Sequence, residues 1–241
     1  MKKLFLFIAI LCLCILPGII ISAQPATTDS STENNQKTID LFYRSVNENA
    51  HLYNGREYIM YDPRVKGNPY FNALDLQAGS LFYDGTLYQN VPMLYEIMGE
   101  QVVIRQYNQG VLITLVNEKI DYFNLFNHTF IHITPDSSNT VISNGFYDRL
   151  YNGNTVVFAK RQKIITEDPN TFERSFTEKD RYFIYKSGEY HSVSDRGDIL
   201  NVFKDKKKDI AKYLRQNKIN FKKAPEYAMV KMAEYYDQLT H

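Results

Sequence analysis

Lys2 and Lys3 precede an almost unbroken apolar run from Leu4 to Leu16, which Pro17 and Gly18 break before Ile21-Ser22-Ala23. A positive start, an apolar middle and a small residue at the cut are the parts of a removable secretory signal, with cleavage expected after Ala23. The whole apolar stretch, Leu4 to Ile21, approaches the roughly 18 residues at which a spanning helix becomes possible. The Pro-Gly break and the short charged start favour a processed signal over an uncleaved anchor, so residues 1–23 are read as a signal peptide with no transmembrane span after its removal.

The pattern then changes four times. Gln24 to Lys37 holds Thr, Ser, Asn and Gln with almost nothing apolar, the composition of a flexible leader (24–37). Ile39, Phe42, Tyr43, Val46 and Ala50 recur at helical spacing, and Asn54-Gly55 can close a short helix. From Arg56 to about Val193 the signals are those of strands. Gln101–Tyr107 and Val111–Val116 flank Asn108-Gln109-Gly110 as a hairpin, and Tyr-Asp-Gly at 83–85, Tyr-Asn-Gly at 151–153 and Lys-Ser-Gly at 186–188 mark further turns. Thr155–Ile165 and Arg181–Lys186 continue the strands.

After Arg196-Gly197 the period is helical again. Ile199, Phe203, Ile210, Tyr213 and Leu214 share a face, and Asp205 with Lys208 and Asp209 with Lys212 stand one turn apart. Ala224-Pro225 opens a last helix, with Val230, Ala233 and Leu239 as its apolar stripe. The fold class expected is α+β, mainly antiparallel β: a meander of hairpins forming a curled sheet, sandwich or partial barrel, with a short N-terminal helix and two C-terminal helices. The β-rich domain is placed at 38–197 and the helical segment packed on it at 198–241.

Composition narrows the setting. Cys12 and Cys14 both lie within the signal, so the cleaved chain holds no cysteine, and neither a disulfide, a thiolate metal site nor a cysteine nucleophile is available to it. Both are flanked by leucine and isoleucine in mid-run, which argues against lipid attachment. Removing 23 of 241 residues leaves 218, a length that buries roughly 70% of its unfolded surface. Taking Lys2 and Lys3 from the 28 basic residues leaves 26 against 27 acidic ones, a net charge of −1. No global field draws such a chain to nucleic acid, so no nucleic-acid partner is expected. The 19 Tyr and 15 Phe suit half-buried strands, while the absence of Trp weighs against a carbohydrate cleft. A large exported domain without disulfides suits a bacterial envelope better than a eukaryotic secretory route, and Asn127-His128-Thr129, which matches a glycosylation pattern, is read there as chance.

Several stretches carry a resemblance. They are Tyr58-x-x-Tyr61-Asp62-Pro63, Lys66-Gly67-Asn68-Pro69-Tyr70-Phe71, Tyr83-Asp84-Gly85-x-x-Tyr88-x-Asn90-Val91-Pro92, the run Gly145 to Gly153, and Glu178-Lys179-Asp180-Arg181-Tyr182. Together they resemble an uncharacterised family of exported, β-rich bacterial envelope proteins with no assigned activity. The likeness spans most of the cleaved chain, implies a β-rich envelope protein, and brings no catalytic residues.

Candidate chemistry is sparse. His128 and His132 would lie on one face of a strand Leu125–Thr134 with Phe126 and Phe130, roughly 13 Å apart and too far to share a metal. Neither His-Glu-x-x-His, Gly-x-Ser-x-Gly nor a phosphate-binding glycine loop occurs, so no catalytic, metal or cofactor residues are assigned and no cofactor is expected. Glu178, Asp180 and Arg181 read as a charged hairpin edge. Asp62, Arg64 and Lys66 form a turn-rich loop read as a joint to the sheet, with an anion-binding loop as the sharper alternative. Lys204, Lys206, Lys207 and Lys208, with Lys222 and Lys223, form a basic patch on the tail helices: a solvated face, or a contact for an acidic partner or anionic lipid.

The function expected is that of an exported, periplasmic or extracellular, non-catalytic protein that binds another envelope protein. The second reading is a periplasmic carrier of an apolar or lipid-like ligand held in a curled sheet lined by Phe and Tyr. The third is a hydrolase whose site assembles only in three dimensions. A packed interior as against an open one separates the first from the second.

Overall fold

A computed structural model describes residues 52–240 apart from 107–109 and 137–138. The signal segment, the leader and the helix expected between Ile39 and Ala50 lie outside the described residues. Strand signals begin and end where the pattern places them, at Arg56 and Val193.

The strands are β1 (Arg56–Glu57), β2 (Gln77–Tyr83), β3 (Thr86–Glu96), β4 (Gln101–Arg105), β5 (Leu112–Thr114), β6 (Ile120–Leu125) and β7 (His128–Ile133). They continue with β8 (Gly145–Asn152), β9 (Val156–Lys160), β10 (Lys163–Glu167), β11 (Arg174–Glu178), β12 (Arg181–Lys186) and β13 (Glu189–Val193). Eleven form one antiparallel sheet in the order β1-β5-β4-β3-β2-β6-β7-β8-β9-β12-β13. Two meanders, β2 to β5 and β6 onward, thus run in opposite directions from a central β2–β6 pair. The sheet is curled but not closed. Asp84 (φ 51°) with Gly85 (φ 79°), and Ser187 (φ 53°) with Gly188 (φ 88°), supply the paired left-handed residues that two-residue hairpins of this twist require.

Two expected strands are divided. Leu125 ends β6 and pairs with His128 at the start of β7, so Phe126 (φ 55°) and Asn127 are a tight turn rather than strand. His128, Phe130 and His132 still alternate onto one face, as the period dictates. The stretch 155–165 is broken at Arg161-Gln162: β9 stays in the main sheet, whereas β10 leaves it and pairs only with β11 as a separate ribbon.

On one face of the sheet Tyr95 (β3), Phe123 (β6), Phe130 (β7) and Phe146 (β8) meet, each fully buried. Phe123 stacks on Phe130 at 4.8 Å, and Tyr95 meets Phe130 edge-on at 4.8 Å. Each such pair adds about 0.5–1.5 kcal/mol beyond the area it buries. This ring cluster packs that face of the sheet.

Further along the same face, Val157, Ile184 and Val193 receive the helices. These are α1 (Arg196–Val202), α2 (Lys207–Gln216) and α3 (Pro225–Thr240). The periodic run after Arg196 is therefore two helices, interrupted at Phe203 and a 3-10 turn, Lys204–Lys206. Asp195 caps α1 by accepting from Asp198 N–H while the Asp198 carboxylate reaches back to Asp195 N–H, a capping box. Asp205 meets Lys186 and the Tyr236 hydroxyl instead of Lys208. The stripe of α3 is Met229, Met232, Ala233 and Tyr236, at helical spacing, and only Ala233 belongs to the stripe expected from the sequence. Pro225 stands at the first helical position as expected. Among the described residues no helix is long and apolar enough to cross a membrane.

Candidate functional site

The break at Arg161-Gln162 lies between the ring cluster and the helical layer. It places a guanidinium where three elements converge. Arg161 Nε and Nη2 donate to Asp148 Oδ2 at 2.9 and 2.7 Å, and Nη1 donates to Asp180 Oδ2 at 2.6 Å. Glu226, in the first turn of α3, accepts from Nη1 at 2.5 Å and from Nη2 at 3.1 Å. His128 Nδ1 lies 2.8 Å from Asp148 Oδ2, Tyr182 donates its hydroxyl to Glu226 Oε1 at 2.8 Å, and Phe71 lies beneath the guanidinium at 5.7 Å. Burial alone would disfavour the charged arginine, but the carboxylates around it hold it cationic well above its ordinary range.

Beside it lies a second polar group. Glu96, fully buried, accepts from Met98 N–H at 2.6 Å, Gly99 N–H at 3.0 Å and, weakly, the Tyr61 hydroxyl at 3.4 Å. Its burial outweighs these bonds and raises its carboxyl above the ordinary value. Lys160 pairs with Glu100 and covers the Tyr147 ring at 4.5 Å; burial lowers its ammonium despite Glu100. Small clefts of about 280 and 210 Å³ open on either side of Arg161.

These groups pair with one another. The three carboxylates converge on an internal cation, and among the described residues no group of three or more His, Asp or Glu is placed to hold a metal ion. His128 has a carboxylate partner, the first half of a general-base arrangement. No hydroxyl nucleophile among the described residues hydrogen-bonds to its ring. His132 packs its ring on Phe146 at 5.0 Å.

In the loop at 62–66, Arg64 forks onto Asp62, Nε to Oδ1 at 3.0 Å and Nη2 to Oδ2 at 2.6 Å, which holds the Asp62 carboxyl down at about 2. Lys66 pairs with Glu173 at 2.7 Å, and its backbone bonds to Arg174 and Phe176. The loop is thereby fastened to β11, and both of its cations face carboxylates of this chain. Asp180, read as an edge charge, is drawn into the Arg161 cluster.

Lys204 and Lys206 lie in the 3-10 turn and Lys207 and Lys208 open α2; all but the half-buried Lys206 are exposed, and Lys207 donates to Asn201. Lys222 belongs elsewhere. It lies beyond the far end of α2, about 15 Å along the helix, on a groove of about 890 Å³ between the start of α1 and the α2–α3 connection. Leu214, Ile219, Phe221 and Pro225 line it with apolar surface, and Arg196, Arg215, Lys218 and Lys222 bring four cations to it. Its one carboxylate, Asp195, is engaged as the cap of α1. Sequence reading flagged Lys222 alone of these; the missed signal is the interleaving of cations and apolar residues over 214–222.

Comparison of the chain with protein-family models, with curated proteins and with solved structures found no match.

Proposed function

We propose that this chain is an exported envelope protein that binds another protein and performs no chemistry of its own. The observation that supports this most is the contrast between its two candidate spaces. One face of the sheet is packed with buried rings, whereas an open groove of about 890 Å³ lies on the helical layer. An open, amphipathic groove of this kind suits a protein segment better than an enclosed ligand. The polar cluster at Arg161 supports the same reading, because its hydrogen bonds fasten α3 to the sheet and so hold the groove's second wall.

The test is site-specific photo-cross-linking in the cell of origin. A cross-linking residue at Phe221 is expected to trap one discrete protein, and one at Leu87, exposed at the β2–β3 turn, is expected not to. Equal labelling from both positions, or none from Phe221, would overturn the reading. So would a native mass exceeding the chain by a few hundred daltons that disappears on denaturation, which would mark a carried small molecule. The denatured mass reports whether residues 1–23 are removed.

A further inference from the structure

Among the described residues, Arg196, Arg215, Lys218 and Lys222 all lack an ion-pair partner, and all four are exposed. Some surface cations, Lys66, Lys119, Lys186 and Lys231, each lie within 4.0 Å of a carboxylate of this chain, whereas Lys204, Lys207 and Lys208 at the other end of α2 meet none among the described residues. The groove thus gathers four cations without an ion-pair partner against one carboxylate, Asp195, on a protein whose cleaved chain is close to neutral. The local field is short-ranged, about 8 Å at physiological salt, so it acts on what enters the groove rather than on distant ligands.

Beneath the charges, Leu214 is buried while Ile219 and Phe221 are half-buried, leaving apolar surface that a ligand can cover. Covering such surface returns about 25 cal/mol for each Å² removed from water, which charge pairing at an exposed rim does not supply alone. A nucleic-acid backbone would satisfy the cations and leave this floor wet. A flat lipid headgroup surface would meet the rim without reaching the floor.

We infer that the groove between α1 and the α2–α3 connection recognises an acidic peptide segment that carries an apolar anchor residue. This rests on the protein-binding reading and specifies the chemistry of the partner. The acidic side chains meet the rim, and the anchor lies against Leu214, Ile219 and Phe221.

The test uses the cleaved full chain and a fluorescein-labelled peptide, Asp-Glu-Leu-Asp-Phe-Glu, read by anisotropy. Binding is expected to weaken about tenfold when Arg215→Glu and Lys218→Glu are combined, since two attractions become two repulsions. It is expected to weaken comparably when Leu and Phe of the peptide become Ser, and to fall as salt rises. Both substituted positions are exposed, and unchanged circular dichroism and melting temperature verify folding. Equal binding of a peptide with Lys at every acidic position, or an unaffected double variant, overturns the inference. Binding to phosphatidylglycerol vesicles but not to the peptide overturns it in favour of a lipid surface. If Phe221 still traps a protein in cells while the acidic peptide fails, only this inference falls; if both fail, the protein-binding reading falls with it.

Discussion

Arg161 and Glu226, 65 residues apart in sequence, form a fork in which Nη1 reaches Oε1 at 2.5 Å and Nη2 reaches Oε2 at 3.1 Å. The pair joins the end of β9 to the first turn of α3 at a position where Arg161 also holds Asp148 and Asp180. Asp148 is 1% exposed, and its second oxygen has no partner.

Removing the cation should therefore cost more than removing any one acid. Arg161→Met is expected to lower stability by about 3–5 kcal/mol at pH 7, because it leaves a buried carboxylate uncompensated. Arg161→Lys should recover part of this, since an ammonium keeps the charge but cannot reach three carboxylates in fork geometry. Urea unfolding at pH 7 distinguishes the two; full recovery by Lys would show that the guanidinium geometry is immaterial, and equal losses for Met and Lys would show that charge without the fork recovers nothing.

Two glutamates should give pH slopes of opposite sign. Burial would raise the Glu226 carboxyl, but the hydrogen bonds and charge of Arg161 outweigh it and lower the group below its ordinary 4.5. Its contribution is present above pH 4.5 and lost as the pH falls through the lowered value. Glu226→Gln should cost about 1 kcal/mol at pH 7, discounted for partial exposure, with the difference vanishing in acid. Glu96 is raised above 4.5 by burial, so the folded state binds more protons than the unfolded state and stability declines as pH rises through that window. Glu96→Gln keeps an oxygen for Met98 and Gly99 N–H and removes the decline. It should be at least as stable as the parent at pH 7. Unfolding free energies measured at intervals from pH 3 to 8 test both; parallel curves for either variant would refute its assignment.

Local signals carried far in this sequence, and their limits are physical. Asp84-Gly85 and Ser187-Gly188 were legible as hairpin turns because a left-handed residue pair is a local requirement. The strand limits at Arg56 and Val193 followed from composition. The strand pairing of the β4–β5 hairpin was legible, whereas the order placing β6 beside β2 was not, since nothing local selects that partner. Arg161 falls inside the stretch 155–165 that reads as continuous strand; its partners come from β8, the β11–β12 turn and α3, which no local pattern brings together. The buried face of α3 differs from the expected one because Tyr236 and Met229 compete with Val230 and Leu239 for burial, and the sheet decides between them. The groove is not legible in the sequence because its cations are exposed in any single helix and gather only when the connection folds back.

Asp237 anchors the C-terminal half of α3 to the β8–β9 turn. Its carboxylate accepts from Thr155 N–H at 3.2 and 3.0 Å and from the Tyr151 hydroxyl at 3.0 Å, while the phenol is pushed up to about 12 by burial and by this carboxylate. Asp237→Ala should cost about 2–3 kcal/mol, because a buried N–H and a hydroxyl lose a charged acceptor. Gly153 explains the closeness of the approach: a Cβ there would lie 2.3 Å from both Asp237 Oδ2 and the Tyr151 hydroxyl oxygen. Gly153→Ala should be destabilising in the parent and milder beside Asp237→Ala. A double-mutant cycle by thermal unfolding measures that coupling, and strict additivity would contradict the contact.

Lys218 should separate stability from binding. It follows the cap residue of α2 with φ 55°, and Ile219 N–H donates to Leu214 C=O at 2.9 Å while Lys218 N–H donates to Arg215 C=O at 3.2 Å. That pair of bonds closes the helix in the form for which glycine is usual at this position, since a side chain there crowds its own carbonyl. Lys218→Gly relieves the crowding and gives back part of the gain through the freer unfolded chain, for a net stabilisation of about 0.5–1 kcal/mol, or roughly 1–4 °C in Tm. The same change removes one of the four groove cations, so affinity for the acidic peptide should fall about threefold. A variant that melts higher and binds less shows that the lysine is kept for its charge and not for the turn. A variant that melts higher and binds equally would remove Lys218 from the recognition surface and leave the strained turn without a functional account.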